Sequence, residues 1–142
     1  MKTKLFILAA VAALAMPSAH ADCAYVSDFA IKAGESKTLE LILENETVYK
    51  SFQADFEFPE GLGIVCDDSN KPIFSSTSRT ASHIVRGSRP QGTGDNHYRI
   101  GLVTLGASIA AGEGAIATFT VQATEDFVGE FAIELTDINV LL

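Results

Sequence analysis

The chain has no tryptophan, only two cysteines and four prolines, and few basic residues for its 142 residues. Ten lysines and arginines stand against 18 aspartates and glutamates, which gives a formal net charge of −8 at pH 7. An acidic surface repels nucleic-acid phosphates and anionic membranes, so neither is expected as a partner. Without tryptophan, a flat aromatic platform for crystalline polysaccharide is also disfavoured.

Long apolar runs are scarce as well, and the main one, residues 5–15, is too short to span a bilayer as a helix. Two lysines precede it, and the tripeptide Ala-His-Ala follows it with the small-x-small pattern of a signal-peptidase site. We therefore predict that residues 1–21 are a signal peptide cleaved after Ala21. The remaining residues, 22–142, are predicted to form one exported domain, located in the periplasm, at the cell surface or in the medium.

Helical periodicity is weak, and apolar residues alternate with polar ones through most of the chain. The clearest strand has Phe52, Ala54, Phe56 and Phe58 on one face, and it ends at Pro59. About eight or nine such strands with frequent turns predict an all-β fold, an antiparallel β-sandwich of the jelly-roll type.

Both ends of the predicted domain also show alternation. A first strand is predicted to carry Tyr25, Ser27, Phe29 and Ile31 along one face, with Tyr25 partly buried. Two separate closing strands are predicted, with alternating apolar residues at Phe131, Ile133, Leu135, Ile138, Val140 and Leu142.

The two cysteines bear on the compartment. Exported proteins meet oxidising conditions, so Cys23 and Cys66 are predicted to form one disulfide bond. Two separate buried thiols are the alternative.

Motifs for catalysis are scarce. The Gly-x-Ser-x-Gly elbow of the α/β-hydrolases is absent, so no nucleophile is marked by its sequence context. A glycosidase needs two positioned carboxylates, and the acidic residues include many pairs without singling one out. Asp55 and Glu57 alternate with core residues and are expected to be solvated. The chain is therefore predicted not to be an enzyme.

Metal binding is similarly unsupported, and no cofactor is predicted. Five residues could supply oxygen ligands for Ca²⁺, namely Asp67, Asp68, Asn70, Asp95 and Asn96. The twelve-residue calcium-loop pattern is missing, so Asx turns are the favoured interpretation. His83 and His97 lack thiolate partners at zinc-site spacing.

Positive charge is concentrated in residues 71–99. We consider this segment a possible binding surface for an acidic partner, with Tyr49 as the best lone aromatic candidate for a loop site. The residues concerned are Arg79, His83, Arg86, Arg89, His97 and Arg99. A solvated face without a binding role is the alternative, because surface charge pairs contribute only about 0–1 kcal/mol.

Several segments occur in an order that resembles the cohesins, receptor modules that hold dockerin-bearing enzymes in polysaccharide-degrading assemblies. They are SFQADFEFPEGLGIV, HYRIGLV, GAIATFTVQA and FAIELTDINV. The resemblance covers nearly all of residues 24–142. The chain is most similar to short secreted cohesin-like proteins of gut polysaccharide degraders. It implies a nine-stranded flattened jelly roll that binds through a strand face or through loops, and it assigns no contact residue.

The resulting hypothesis is an exported non-catalytic module that docks a secreted, dockerin-like protein in polysaccharide-degrading or cell-surface assemblies. One alternative is a carbohydrate-binding module that recognises a glycan through its loops. Another is a structural surface component that assembles through edge strands. The chain is expected to be a monomer. One module without a recognisable linker or second domain does not resemble a multi-module scaffold, which counts against a scaffold role.

Overall fold

A computed structural model describes residues 5–9, 12–13, 22–128 and 131–142, with side chains in 22–128, at 133 and in 135–142. The predicted cleavage site after Ala21 lies outside the described residues. The strands are β1 (Leu5–Ala9), β2 (Ala12–Ala13), β3 (Cys23–Val26), β4 (Phe29–Ile31), β5 (Ser36–Asn45), β6 (Ser51–Glu57), β7 (Leu62–Ile64), β8 (Phe74–Ser76), β9 (Ile84–Ser88), β10 (His97–Val103), β11 (Gly112–Ala123) and β12 (Phe131–Leu141).

The strands form two sheets that pack as a sandwich. Sheet I has the order β4-β1-β12-β6-β10-β9, and sheet II has the order β2-β3-β5-β11-β7 with β8 also paired to β11. All pairs are antiparallel except β1 with β12. Within the described residues no helix is long and apolar enough to cross a membrane. The predicted antiparallel β-sandwich is confirmed.

The core lies where the alternation predicted it. Phe52, Ala54, Phe56 and Phe58 of the β6 segment are all buried. The ring of Phe56 contacts that of Phe119 from sheet II edge to face, with 5.2 Å between centroids. Such aromatic pairs contribute about 0.5–1.5 kcal/mol beyond the area that they bury, so they help to fix one sheet upon the other.

Two strand predictions were wrong, and both errors arise where the chain changes course. Residues 27–28 separate β3 in sheet II from β4 in sheet I, so the one predicted strand is two strands, and Ala24 and Val26 of β3 are the buried residues. At the C-terminal end, one strand replaces the two predicted. β12 continues through a register shift between Thr136 and Asn139, where Asp137 adopts a φ of 47°.

The predicted disulfide is absent, because Cys23 and Cys66 are both free thiols. Cys23 is opposite Glu44 of β5, and Glu44 is opposite Glu113 of β11. Val65, the residue before Cys66, donates its backbone N–H to the carbonyl of Thr120, which lies near the other end of β11. At about 3.3 Å per residue, these levels of the sheet are roughly 20 Å apart. A disulfide requires Cα atoms within about 7 Å, so this fold is incompatible with an internal bridge.

Candidate functional site

Four strands of sheet I, β12-β6-β10-β9, present a broad outer face, called here the sheet I outer face. Because side chains alternate along a strand, the residues between the core aromatics of β6 point outward. They are Ser51, Gln53, Asp55 and Glu57. The register sets further residues beside them, which are His97, Arg99, Gly101 and Val103 of β10, Ile84, Arg86 and Ser88 of β9, and Thr136, Asn139 and Leu141 of β12.

One end of this face carries a network of charged side chains centred on Asp55. The Arg99 guanidinium donates from Nε to Asp55 Oδ1 at 2.6 Å and from Nη2 to Oδ2 at 2.9 Å. His97 Nε2 lies 3.0 Å from Asp55 Oδ2, and His97 Nδ1 lies 3.3 Å from Glu57 Oε1. A protonated imidazole can donate to both carboxylates at once. The bidentate arginine pair gives this end a fixed geometry.

Asp55 is only 1% exposed, although its strand position faces outward. Burial raises the pKa of its carboxyl, but the hydrogen bonds and positive charge of Arg99 and His97 outweigh burial and leave the pKa below its ordinary value. The same pairing raises the pKa of Arg99. Asp55 was expected to be solvated, and that expectation was wrong, because Arg99 and His97 on the neighbouring strand cover it.

The opposite end of the face is apolar and exposed. Ile84 of β9 and Val103 of β10 are direct cross-strand partners, and they are 43% and 45% exposed. Leu141 of β12 is 60% exposed. It lies at the same level of the sheet as Val103, because Phe52 of β6 pairs with Leu102 on one side and with Val140 on the other. Leu105, just beyond β10, is 94% exposed. Clustered exposed apolar side chains mark interaction surfaces more often than scattered ones do.

These apolar residues were missed in the sequence. Their signal was present, since Val103 follows the inward residues Ile100 and Leu102 and therefore occupies an outward position with an apolar side chain. The same holds for Ile84 and Leu141 relative to their strands. An apolar residue at the solvent position of an alternating strand is therefore the sequence signal that indicates this surface.

The predicted basic segment contributes in part to this face. Arg86, His97 and Arg99 lie on it, with Arg86 exposed. Arg89 lies just beyond β9, where its guanidinium stacks 4.5 Å from the centroid of the Tyr98 ring. Its N–H groups also donate to the carbonyls of residues 70 and 95. The binding role predicted for these residues stays a prediction.

Arg79 lies away from the sheet I outer face and is engaged in structural hydrogen bonds. Its Nη1 donates to the carbonyls of Leu43 and Gly114, at 2.7 and 2.9 Å. Its Nη2 donates to Asn45 Oδ1 at 2.7 Å and to the Ala110 carbonyl at 2.9 Å. Partial burial lowers its pKa. These bonds tie the 3₁₀ turn Ser78–Thr80 to the bulged end of β11.

Two more of the predicted surface residues are buried. Tyr49 is fully buried, and its hydroxyl donates to Asp22 Oδ2 at 2.5 Å. Burial and this bond raise the pKa of Tyr49 to about 12. The suggestion that Tyr49 is an exposed aromatic for a loop site was therefore wrong. His83 is also buried, with Nε2 at 3.1 Å from the Lys50 carbonyl oxygen.

The candidate calcium residues form ordinary turns. Asp67 Oδ1 accepts the backbone N–H groups of Ser69 and Lys71, at 2.8 and 3.0 Å. This is Asx-turn geometry, in which a short side chain satisfies local backbone groups. Among the described residues, no group of three or more histidine, cysteine, aspartate or glutamate side chains is arranged to hold a metal ion.

Comparison with solved structures identifies the fold. A non-cellulosomal cohesin from the hyperthermophilic archaeon Archaeoglobus fulgidus superposes with a TM-score of 0.55 at 14% identity, covering 76% of this chain and 68% of that one. A type III cohesin module from the ScaE cell-surface anchoring scaffoldin of Ruminococcus flavefaciens gives 0.52 at 14% identity, covering 68% of this chain and 51% of that one. No protein-family model and no curated protein sequence matches. The fold is therefore cohesin-like, as the sequence resemblance suggested.

Proposed function

We propose that this chain is an exported, non-catalytic protein-docking module of the cohesin type, and that it binds its partner through the sheet I outer face. The observation that carries the proposal is the row of exposed apolar residues, Ile84, Val103 and Leu141, at one end of that face. A partner that covers this row removes apolar surface from water, at about 25 cal/mol per Å².

The charged end of the same face supplies a second requirement for docking, which is orientation. Asp55, Arg99 and His97 satisfy one another, so a partner need not neutralise a buried lone charge there. Glu57 is half exposed beside them, and Arg86 is exposed on β9, so both are available to polar groups of a partner. Charges at the rim of an interface mainly set orientation and association rate.

A dockerin-like domain on a secreted protein is the partner that we propose, by analogy with the two cohesins that share the fold. The polysaccharide-degrading or cell-surface setting is part of this proposal. The described residues offer little for the alternative of a glycan-binding module, since Tyr49, the aromatic suggested for a loop site, is buried.

The test is capture of partners from the secreted and periplasmic proteins of the source cells by the immobilised protein, using matched variants. Val103→Glu places a charge in the apolar row of sheet I. Thr38→Glu places the same charge at an exposed strand position on sheet II, and it serves as the control. Each variant is first checked for a wild-type circular dichroism spectrum.

We expect the wild type and Thr38→Glu to capture the same proteins, and Val103→Glu to capture them at least about tenfold less, equivalent to about 1.4 kcal/mol. The captured proteins are expected to share one small domain. Equal capture by all three proteins would contradict docking through sheet I. A hit on a glycan array with no protein captured would favour the carbohydrate-binding alternative.

A further inference from the structure

Strand β1 (Leu5–Ala9) lies inside sheet I, between two strands that do not pair with each other. It runs antiparallel to β4, with Leu5 opposite Ile31, and parallel to β12, with Ala9 opposite Ile133. Ile31 and Ile133 are both buried. The position between β4 and β12 therefore borders the core of the sandwich.

The five residues that fill this position belong to the predicted signal peptide. If cleavage follows Ala21, the exported chain lacks β1, and Phe29–Ile31 and Phe131–Ile133 remain on either side of the strand position. Neighbouring strands lie about 4.8 Å apart, so these two edges are roughly 10 Å apart and cannot hydrogen-bond to each other. Backbone groups left unpaired at the border of a core favour the addition of another strand.

We propose that the exported chain contains a strand-acceptor site between β4 and β12, which an extended apolar segment of a partner polypeptide fills. The chemistry of the occupant is indicated by the sequence of β1, LFILA, in which all five residues are uncharged and apolar. A second copy is a poorer donor, because β3 and each of the strands β5 to β12 are paired with another strand of residues 22–142, and β4 is itself one edge of the site. The proposal rests on the predicted cleavage and not on docking at the sheet I outer face.

The acceptor site and the apolar row of the docking face occupy different parts of β12. The acceptor site uses Phe131–Ile133, and the apolar row includes Leu141. At about 3.3 Å per residue, Ile133 and Leu141 are roughly 25 Å apart along the strand. Val103→Glu is therefore expected to leave strand addition unchanged, which allows each proposal to fail without the other.

The experiment uses the protein purified after export, with its N-terminal residue identified by mass spectrometry. The probe is a synthetic peptide of residues 3–11, TKLFILAAV, extended by two lysines for solubility. The control peptide carries Ile7→Pro, which removes a backbone donor and restricts the backbone in the middle of the strand. Binding is measured by fluorescence anisotropy, and amide hydrogen exchange is followed at residues 29–31 and 131–133.

We expect the exported chain to begin at Asp22 and its amides in these two segments to exchange rapidly. The probe should slow their exchange about tenfold or more, and the proline peptide should bind at least about tenfold more weakly. An exported chain that retains residues 5–9 would overturn the proposal, since the site is then filled by its own chain. Slow exchange without peptide, or equal binding of both peptides, would overturn it as well.

Discussion

The two outer faces of the sandwich arise from the same alternating pattern but differ in what the solvent positions carry. On the sheet I outer face, a satisfied network of charged side chains around Asp55 adjoins the exposed apolar row that includes Ile84 and Val103. On sheet II, the outward residues of β5 and β11 are mainly threonines and glutamates. Thr38 faces Thr120 with 3.2 Å between hydroxyls, and Glu44 is paired with Glu113.

The proposed docking through sheet I rests on this difference, which consists of exceptions to the alternation of apolar and polar residues. Small hydroxyls and like-charged glutamates on sheet II keep that face hydrated, and like charges directly opposite each other give no stabilisation. None of the described large apolar residues that are exposed lies on β5 or β11. Sheet I combines an apolar row with charges that are already paired, so its surface can be dehydrated at lower cost.

The largest effect on stability is expected from removing the carboxylate at the centre of the sheet I network. Asp55→Ala leaves Arg99 without its carboxylate partner and His97 with Glu57 alone, and breaking a buried pair costs about 3 kcal/mol of unfolding free energy. Glu40→Ala, at an exposed position on sheet II, is the control and should change it by no more than about 0.5 kcal/mol. Urea unfolding followed by circular dichroism measures both. Equal effects would contradict the difference drawn between the two faces.

Within the basic segment, we expect the substitution of Arg79 to lower stability and the substitution of Arg86 to reduce partner binding. Arg79→Ala removes four hydrogen bonds to groups of β5, β11 and the preceding loop, and it should lower the unfolding free energy by about 2 kcal/mol. Arg86→Ala, at an exposed position on β9, should leave stability unchanged and reduce only partner capture. The same unfolding and capture assays measure both variants. A stability loss at Arg86 as large as that at Arg79 would show that these roles are wrongly assigned.

A smaller effect concerns pH. The folded-state pKa of Asp55 lies below 3.8, the ordinary value expected in the unfolded chain. Its ionised form therefore stabilises the fold fully above pH 3.8, and this contribution is lost as the pH falls through the lowered pKa. The stability difference between wild type and Asp55→Asn should shrink below pH 3.8 in urea titrations. The pKa of Asp22 is also lowered, but Asp22 is present in both proteins, so its contribution to the difference cancels. A difference that stays constant down to pH 2 would contradict the assignment.

Much of the fold could be predicted from the sequence because the central strands alternate strictly. β6 and β10 have their apolar core residues at every second position, and all of the residues predicted to point inward are buried. Prediction failed where the phase of the alternation is reset. The step from β3 to β4 carries the chain from one sheet to the other, and the bulge in β12 turns two expected strands into one.

The candidate site was less predictable, because it depends on pairs that are distant in the sequence. Asp55 and Arg99 are 44 residues apart, and only the register of β6 against β10 brings them together. The burial of Tyr49 is equally hidden in the sequence, because its hydroxyl bonds to Asp22, which lies 27 residues away. Whether Cys23 and Cys66 can form a disulfide likewise depends on their positions in the sheets, which the cellular compartment does not reveal.

The most direct measurement of the central claim is carboxyl footprinting of the complex with a captured partner. Glu57 on the sheet I outer face and Glu40 on sheet II both have exposed side chains in the free protein, so carbodiimide should label both. We predict that the partner protects Glu57 from labelling and leaves Glu40 as reactive as before. Protection of Glu40 with unchanged labelling of Glu57 would contradict docking through the sheet I outer face.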